Sequence, residues 1–317
     1  MSVALCRQGT RQIAEVIIYK GHETHPLLGP YHENIDKCRE MFEGLNPYRK
    51  ARHLREWNVI CVRGEDLTDK LSAVNPLETL LVIPAGQSSR LDAVFTPAQN
   101  QKIIDFFKSG GKGYKTCGAA YRACETREYS EVCEVQPDSR KLIIKKSDIS
   151  VGKVKALGPL CPFPGARYKV GFYSDAVEVV AATTDKVFSD TAKKCTIFLS
   201  GGGSFIPEPQ QPFQTLVHYP TYELQRLGKQ PSEQVKLENA AILVPVGLGA
   251  VLLSMFHPYY GSQDIDVERY QKALPDAGTD WNVIHQKLSS HDHRMNFVLD
   301  YMLFPLENYN PSPRSSL

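Results

Sequence analysis

The stretch Lys112-Gly113-Tyr114-Lys115-Thr116-Cys117-Gly118-Ala119-Ala120-Tyr121-Arg122-Ala123-Cys124 decides the fold. It follows the glycine pair Gly110-Gly111, ahead of which lies a helix-like stretch from Pro97 to Lys108. An extended run, then a Cys, then a small-residue helix start is the order of a strand-to-helix turn. Such a turn lifts a nucleophile above the edge of a parallel sheet. A thiol placed there is expected to gain from the N–H groups and positive dipole end of the following helix, both of which lower its pKa.

Upstream, strand and helix signals alternate. Ala14 to Tyr19 reads as a buried strand, and His32 to Phe42 as a helix with Ile35, Cys38, Met41 and Phe42 at helical spacing. Trp57 to Val62 and Leu77 to Pro84 read as further strands, the latter ending in the turn Pro84-Ala85-Gly86-Gln87. Thr96-Pro97 opens a helix with a side-chain cap and a first-turn proline; its apolar face is Ile103, Ile104, Phe106 and Phe107. This alternation, which runs to about residue 130, predicts an α/β fold with a doubly wound, mostly parallel sheet. Ligands of such sheets sit beyond the carboxyl ends of the strands, where both the Pro84 turn and Cys117 fall.

The second half is richer in short β-like runs, among them Val177 to Ala181 and Thr196 to Ser200. Gly201-Gly202-Gly203 closes the last of these and reads as a tight turn before it reads as a ligand approach. Ala240 to Met255 forms a hairpin across Gly247-Leu248-Gly249 and delivers His257 at its end. Pro207 to Pro231, with five prolines, reads as a polar surface loop. Arg294 to Leu303 is a final helix, and Asn308 to Leu317 a frayed end.

Composition narrows the function classes. The chain has 317 residues, 42% hydrophobic and 23% charged, with a net charge of +2. That balance argues against nucleic acid or an anionic membrane as partner. No apolar stretch approaches the roughly 18 residues of a membrane span, and Met1 to Val16 lacks a signal-peptide core. A soluble, cytoplasmic protein is expected, although secretion by a route without such a mark stays open. The eight cysteines (6, 38, 61, 117, 124, 133, 161 and 195) include no Cys-x-x-Cys pair, which favours a reducing compartment. Cys124, seven residues after Cys117, is expected two turns along the same helix face. His22-Glu23 with His25, and His291-Asp292-His293, lack a third ligand at fitting spacing, so no metal and no cofactor are expected.

Six segments, in order, resemble the N-terminal domain of the large, fungal-type biotin-protein ligases, in the class I glutamine amidotransferase-like group. They are Val16 to His22, Leu81 to Gly86, Gly110 to Tyr121, Phe163-Pro164-Gly165 with Gly171 to Ser174, Ser200 to Gly203, and Phe256-His257-Pro258. The resemblance implies a flavodoxin-like sheet with added β-hairpins over residues 1–260. It also implies a C-terminal helical extension over 261–317 packed on that sheet. A ligase catalytic domain with its Gly-Arg-Gly-Arg-type adenylate loop would follow this region; none is read here, so biotinylation by this chain is not expected.

Carried over residue by residue, Cys117 would be the nucleophile and His257 its base. Gly118 would supply one oxyanion N–H and the Pro84-Ala85-Gly86 turn the other. Two departures stand out. The family's Gly-x-Cys-x-Gly elbow reads Lys115 and Ala119 at its glycine positions. The triad's His-x-Glu reads His257-Pro258-Tyr259, leaving Asp264 or Asp266 as substitutes for the carboxylate. Lys115 would fill the pocket or bind an anionic substrate group. Two readings follow: a Cys-dependent hydrolase or transferase acting on a small amide or ester, or a non-catalytic binding or regulatory module that keeps the fold.

Overall fold

Val16 and Ile18 of strand β1 (Glu15–Tyr19) join one apolar cluster, whereas Ile17 and Tyr19 join another. Beside it lie β2 (Asn58–Val62) and β3 (Thr79–Ile83), and β3 splits the same way, Leu80 and Val82 against Leu81 and Ile83. Side chains alternate across a strand, so strands buried on both faces need a helical layer on each. The computed structural model describes residues 12–22, 32–86, 91, 94–132, 140–147, 149–160, 174–183, 191–234, 236–273 and 280–311.

Helix α1 (His32–Gly44) covers the first face with the four residues read from its spacing, and the short α2 (Asn46–Ala51) follows it. Helices α3 (Gly64–Ala73) and α4 (Pro97–Lys108) cover the second face with Leu67, Leu71, Ile103, Phe106 and Phe107. Ile104 sits at the rim, partly buried. The start of α4 is a capping box: Gln99 N–H donates to Thr96 Oγ1 at 3.2 Å, and Thr96 N–H donates to Gln99 Oε1 at 3.0 Å.

Strand β4 (Lys112–Thr116) leads through Cys117 into the short helix α5 (Gly118–Ala123). The strands that follow are β5 (Cys124–Val132), β6 (Arg140–Lys146), β7 (Gly152–Gly158), β8 (Ser174–Ala181), β9 (Lys194–Ser200), β10 (Ser204–Pro207), β11 (Gln214–His218), β12 (Asn239–Val246) and β13 (Gly249–Ser254). The main sheet runs β2-β1-β3-β4-β13-β12-β11-β8-β9, and a smaller one β10-β7-β5-β6. From β2 to β13 every pairing is parallel; from β13 to β9 every pairing is antiparallel. This is the expected α/β architecture with hairpins added. The β12–β13 hairpin turns at Gly247, whose φ of +61° suits a residue without a side chain.

The antiparallel half curls until its last strand returns to the segment that follows β13. His257 N–H donates to Phe198 O at 2.9 Å. The rest of that edge is also taken: Thr196 exchanges backbone hydrogen bonds with Ser289 Oγ (2.8 Å) and Ser289 N–H (3.0 Å), and Lys194 O accepts from His293 Nε2 at 2.6 Å.

Residues after His257 share the first cluster through Trp281, Ile284, Phe297, Val298 and Leu306. Arg49 of α2 forms a buried ion pair with Glu307 and stacks 3.8 Å over the Trp57 ring. Among the described residues no helix is long and apolar enough to cross a membrane.

Three expectations are corrected. The Pro207–Pro231 stretch is not a plain loop: it contains β11 and the helix Thr221–Arg226, with Leu216, Val217 and Leu224 buried. Both elements are too short to show a period. Cys124 is not on the helix face of Cys117, because α5 ends at Ala123 and Cys124 begins β5. Tyr309 is not frayed: its carbonyl accepts from Lys112 Nζ at 3.1 Å. Residues 312–317, Gln87, Phe163 to Gly165 and Gly171 to Tyr173 lie outside the described residues.

Candidate functional site

Cys117 sits where β4 stops. Its N–H donates to Ser254 O at 2.7 Å, and its carbonyl accepts from Tyr121 N–H at 2.9 Å, so β13 and α5 hold it from both sides. They hold it at φ +47° and ψ −118°, a left-handed conformation rare for a residue with a side chain. Such strain persists only where surrounding bonds over-determine it, and it clusters at functional sites.

The half-buried thiol packs against the first cluster, with Sγ 3.9 Å from Ser200 O and the Gly118 N–H hydrogen-bonded to it. Burial pushes the thiol up to about 11, and the Gly118 N–H pulls it back only in part. The N–H at the start of the helix lowers the thiol as expected, and desolvation outweighs it.

His257 is buried. Its Nδ1 is 3.1 Å from Tyr259 Oη, which in turn is 3.4 Å from Thr116 Oγ1. Nε2 is buried and makes no hydrogen bond, to Sγ or to any other group among the described residues. Burial lowers the imidazole to about 4, so it is neutral at pH 7. Burial raises the pKa of Tyr259 well above the usual phenol value, so the group that meets Nδ1 carries no charge.

Neither proposed substitute reaches the ring. Asp264 accepts from Gly261 N–H at 2.7 Å and pairs with Lys37 at 2.8 Å, while Asp266 accepts from Arg269 N–H at 3.0 Å.

Pro84, Ala85 and Gly86 are buried just past β3, one strand from Cys117. Asn34 ties that turn to the His257 segment: its Nδ2 donates to Ala85 O at 2.8 Å, and its Oδ1 accepts from Tyr260 Oη at 2.9 Å. Phe198 closes the group, with ring centroids 5.9 Å from His257 and 5.1 Å from Tyr260. Asn34, Tyr260 and Phe198 carry no signal in the sequence; only long-range pairing brings them here.

Lys115 faces the other layer. It is buried with Nζ 5.6 Å from the Phe107 ring, on the opposite side of β4 from the cluster that Cys117 joins. It neither fills the space over the thiol nor faces a ligand there. Gly202 is a turn residue at φ +58°; its carbonyl accepts from Tyr121 Oη at 2.8 Å, which locks the glycine turn to α5.

His22 Nδ1 is hydrogen-bonded with Tyr19 Oη at 2.8 Å, and Asp292 accepts from Tyr48. Glu23 and His25 lie outside the described residues. Among the described residues no group of three His, Cys, Asp or Glu side chains gathers to hold a metal. The described cysteines at 38, 61, 117, 124 and 195 are free thiols.

A mixed, half-parallel sheet with a strained Cys at the end of β4, and a His beyond the neighbouring β13, defines an α/β protein. The chain belongs to the family described as biotin-protein ligase, N terminal, which matches residues 54–309. No curated protein matches it. Solved structures of similar fold include a glutamine amidotransferase from Thermotoga maritima, 12% identical with a TM-score of 0.49, covering 93% of this chain and 99% of that one. A putative GMP synthase subunit from Thermoplasma acidophilum is 8% identical with a TM-score of 0.40, covering 93% and 98%. A putative ThuA-like protein from Bacteroides uniformis is 9% identical with a TM-score of 0.42, covering 77% and 82%. At these scores no inference about activity passes from them to this chain.

Proposed function

We propose that the chain is a binding or regulatory module that keeps a Cys–His site without turning substrate over, holding a small amide or related molecule over Cys117. The observation that carries this reading is His257, whose Nδ1 meets a neutral phenol and whose buried Nε2 has no hydrogen-bond partner among the described residues. Acyl transfer requires the thiol proton to reach the imidazole as sulfur bonds to the carbonyl carbon. The imidazolium must then protonate the leaving amine or alcohol.

Burial raises the thiol to about 11 and lowers the imidazole to about 4, and both shifts oppose that first proton transfer. A carboxylate at position 259 would stabilise the imidazolium, whereas the Tyr259 phenol does not.

One observation favours the enzyme reading, a Cys-dependent amide or ester hydrolase or transferase: Cys117 is held at positive φ with the Gly118 N–H on Sγ. Incubation with p-nitrophenyl acetate and with L-glutamine at neutral pH separates the two. On the proposed reading peptide mass spectrometry finds no acetyl thioester on Cys117 and no ammonia is released, while Tyr259→Glu gains acylation. Acylation of the parent Cys117 that His257→Ala abolishes would overturn the proposal and establish the enzyme.

A further inference from the structure

The smaller sheet ends in a strand that stands clear of the body. In the order β10-β7-β5-β6, β6 pairs with β5 from Arg140 opposite Val132 to Lys146 opposite Thr126. Burial falls away between the two. On β5, Glu125, Thr126 and Glu128 are half-buried and Arg127 is buried, whereas Ile144, Lys145 and Lys146 are all exposed. Successive residues of a strand point to opposite faces, so exposure of three in a row means that neither face of this end of β6 is packed. Ile144 is 59% exposed, more than any other large apolar side chain among the described residues.

The two ends of this sheet differ. β10, at the far end, is covered by β12: Asn239 Nδ2 donates to Phe205 O at 3.0 Å, and Ser204 Oγ donates to Asn239 O at 3.2 Å. Among the described residues no strand pairs with the outer side of β6. A strand in that position can take an added one, with main-chain hydrogen bonds giving affinity and side chains giving selection.

The sequence of β6 selects the strand it accepts. From 140 to 146 it reads Arg-Lys-Leu-Ile-Ile-Lys-Lys, four cations and no acid around three apolar residues. Two copies of β6 paired antiparallel about Ile143 would set position 140 against 146 and 141 against 145, cation against cation at each. Like charges directly opposite destabilise a pair and opposite charges stabilise it, so the register disfavours a second copy and favours an acidic strand. β6 has no aromatic side chain on which a base could stack, and its centre is aliphatic, which suits a polypeptide better than a nucleic-acid strand. With a net charge of only +2, the chain as a whole is not a generally basic surface.

We propose that the outer side of β6 docks an extended segment of a protein partner, apolar at its centre and acidic at its flanks. The site shares no residue with Cys117 or His257 and does not depend on whether the thiol turns over.

The test is fluorescence anisotropy of a labelled peptide, Glu-Glu-Val-Thr-Val-Glu-Glu, titrated with the full chain at physiological salt. Its mirrored order offers an acid to each cation of β6 in either strand direction. Saturable binding is expected, weakened about tenfold or more by Lys145→Glu with Lys146→Glu. Both lysines are exposed, so that variant should melt like the parent. It should bind Lys-Lys-Val-Thr-Val-Glu-Glu instead if the strands are antiparallel, or the reversed peptide if they are parallel. Replacing the central Val-Thr of the original peptide by Pro-Pro should abolish binding, because one of two neighbouring N–H groups must face β6 and proline has none.

Equal binding of the Pro-Pro peptide would reduce the contact to bare charge attraction and overturn the proposal, as would no binding with the chain at about 1 mM. Self-association of the parent that the double variant abolishes would overturn it in favour of a second copy. A single-stranded oligonucleotide that binds more tightly than the peptide, and displaces it at physiological salt, would overturn it in favour of nucleic acid.

Discussion

Replacing His257 by Gln should make the fold less sensitive to acid. The buried imidazole stays neutral down to about 4 in the folded chain, against about 6.5 when unfolded. Between those values the unfolded chain binds a proton that the folded chain refuses, so stability falls as pH falls through that window. The whole gap is worth about 3.4 kcal/mol, of which about 2.5 kcal/mol is lost between about pH 7.5 and about pH 4.5. The Gln amide does not titrate but can still hydrogen-bond Tyr259 Oη. Urea unfolding of parent and His257→Gln across that range, taken as a difference, cancels every other titrating group. The parent should lose about 2.5 kcal/mol more than the variant. Parallel loss would mean that His257 is open to solvent when folded. A parent that gains on the variant towards acid would mean a charged imidazolium, and with it the thiolate partner that the proposed function denies.

Cys117 should alkylate slowly. At about pH 8 its thiolate is about two hundredfold scarcer than that of a free thiol, and greater nucleophilicity returns about tenfold. Iodoacetamide should therefore modify it about twentyfold more slowly in the folded chain than in urea, and equal rates refute the raised pKa. Glu307→Ala strands the Arg49 guanidinium in the interior and should cost about 3–5 kcal/mol by urea unfolding; a loss below about 1 kcal/mol would show that the pair is not sealed from water. Thr96→Ala removes the side-chain half of the α4 capping box and should cost about 1 kcal/mol, with no loss arguing that Pro97 alone starts the helix.

The parallel half of the fold was legible because its strands are continuous apolar runs and its helices carry their burial at regular spacing, as α1 and α4 do. The thiol turn was legible from small residues around a Cys. The electrostatics were not. Whether a helix start lowers a thiol's pKa depends on the length of the helix and on how much water reaches the sulfur. Neither is written in Thr116-Cys117-Gly118. The phenol at Tyr259 was visible as a missing acid, but only the fold reveals that it hydrogen-bonds the imidazole. Asn34, Phe198 and Ser200 reach the site from segments far along the chain, through pairings that no local pattern encodes.

The sealing of β9 by Ser289, His293 and His257 limits how copies of this chain can associate. A strand edge with free backbone groups is a template for another chain, and a sheet with two such edges can polymerise without end. Here one end of the nine-stranded sheet is closed, and among the described residues no strand pairs with the outer edge of β2 at the other. Through that sheet the chain has a valence of one. Among the described residues, edge-to-edge pairing of two copies at β2 would consume the one open edge of that sheet in each, so growth along this direction stops at a dimer.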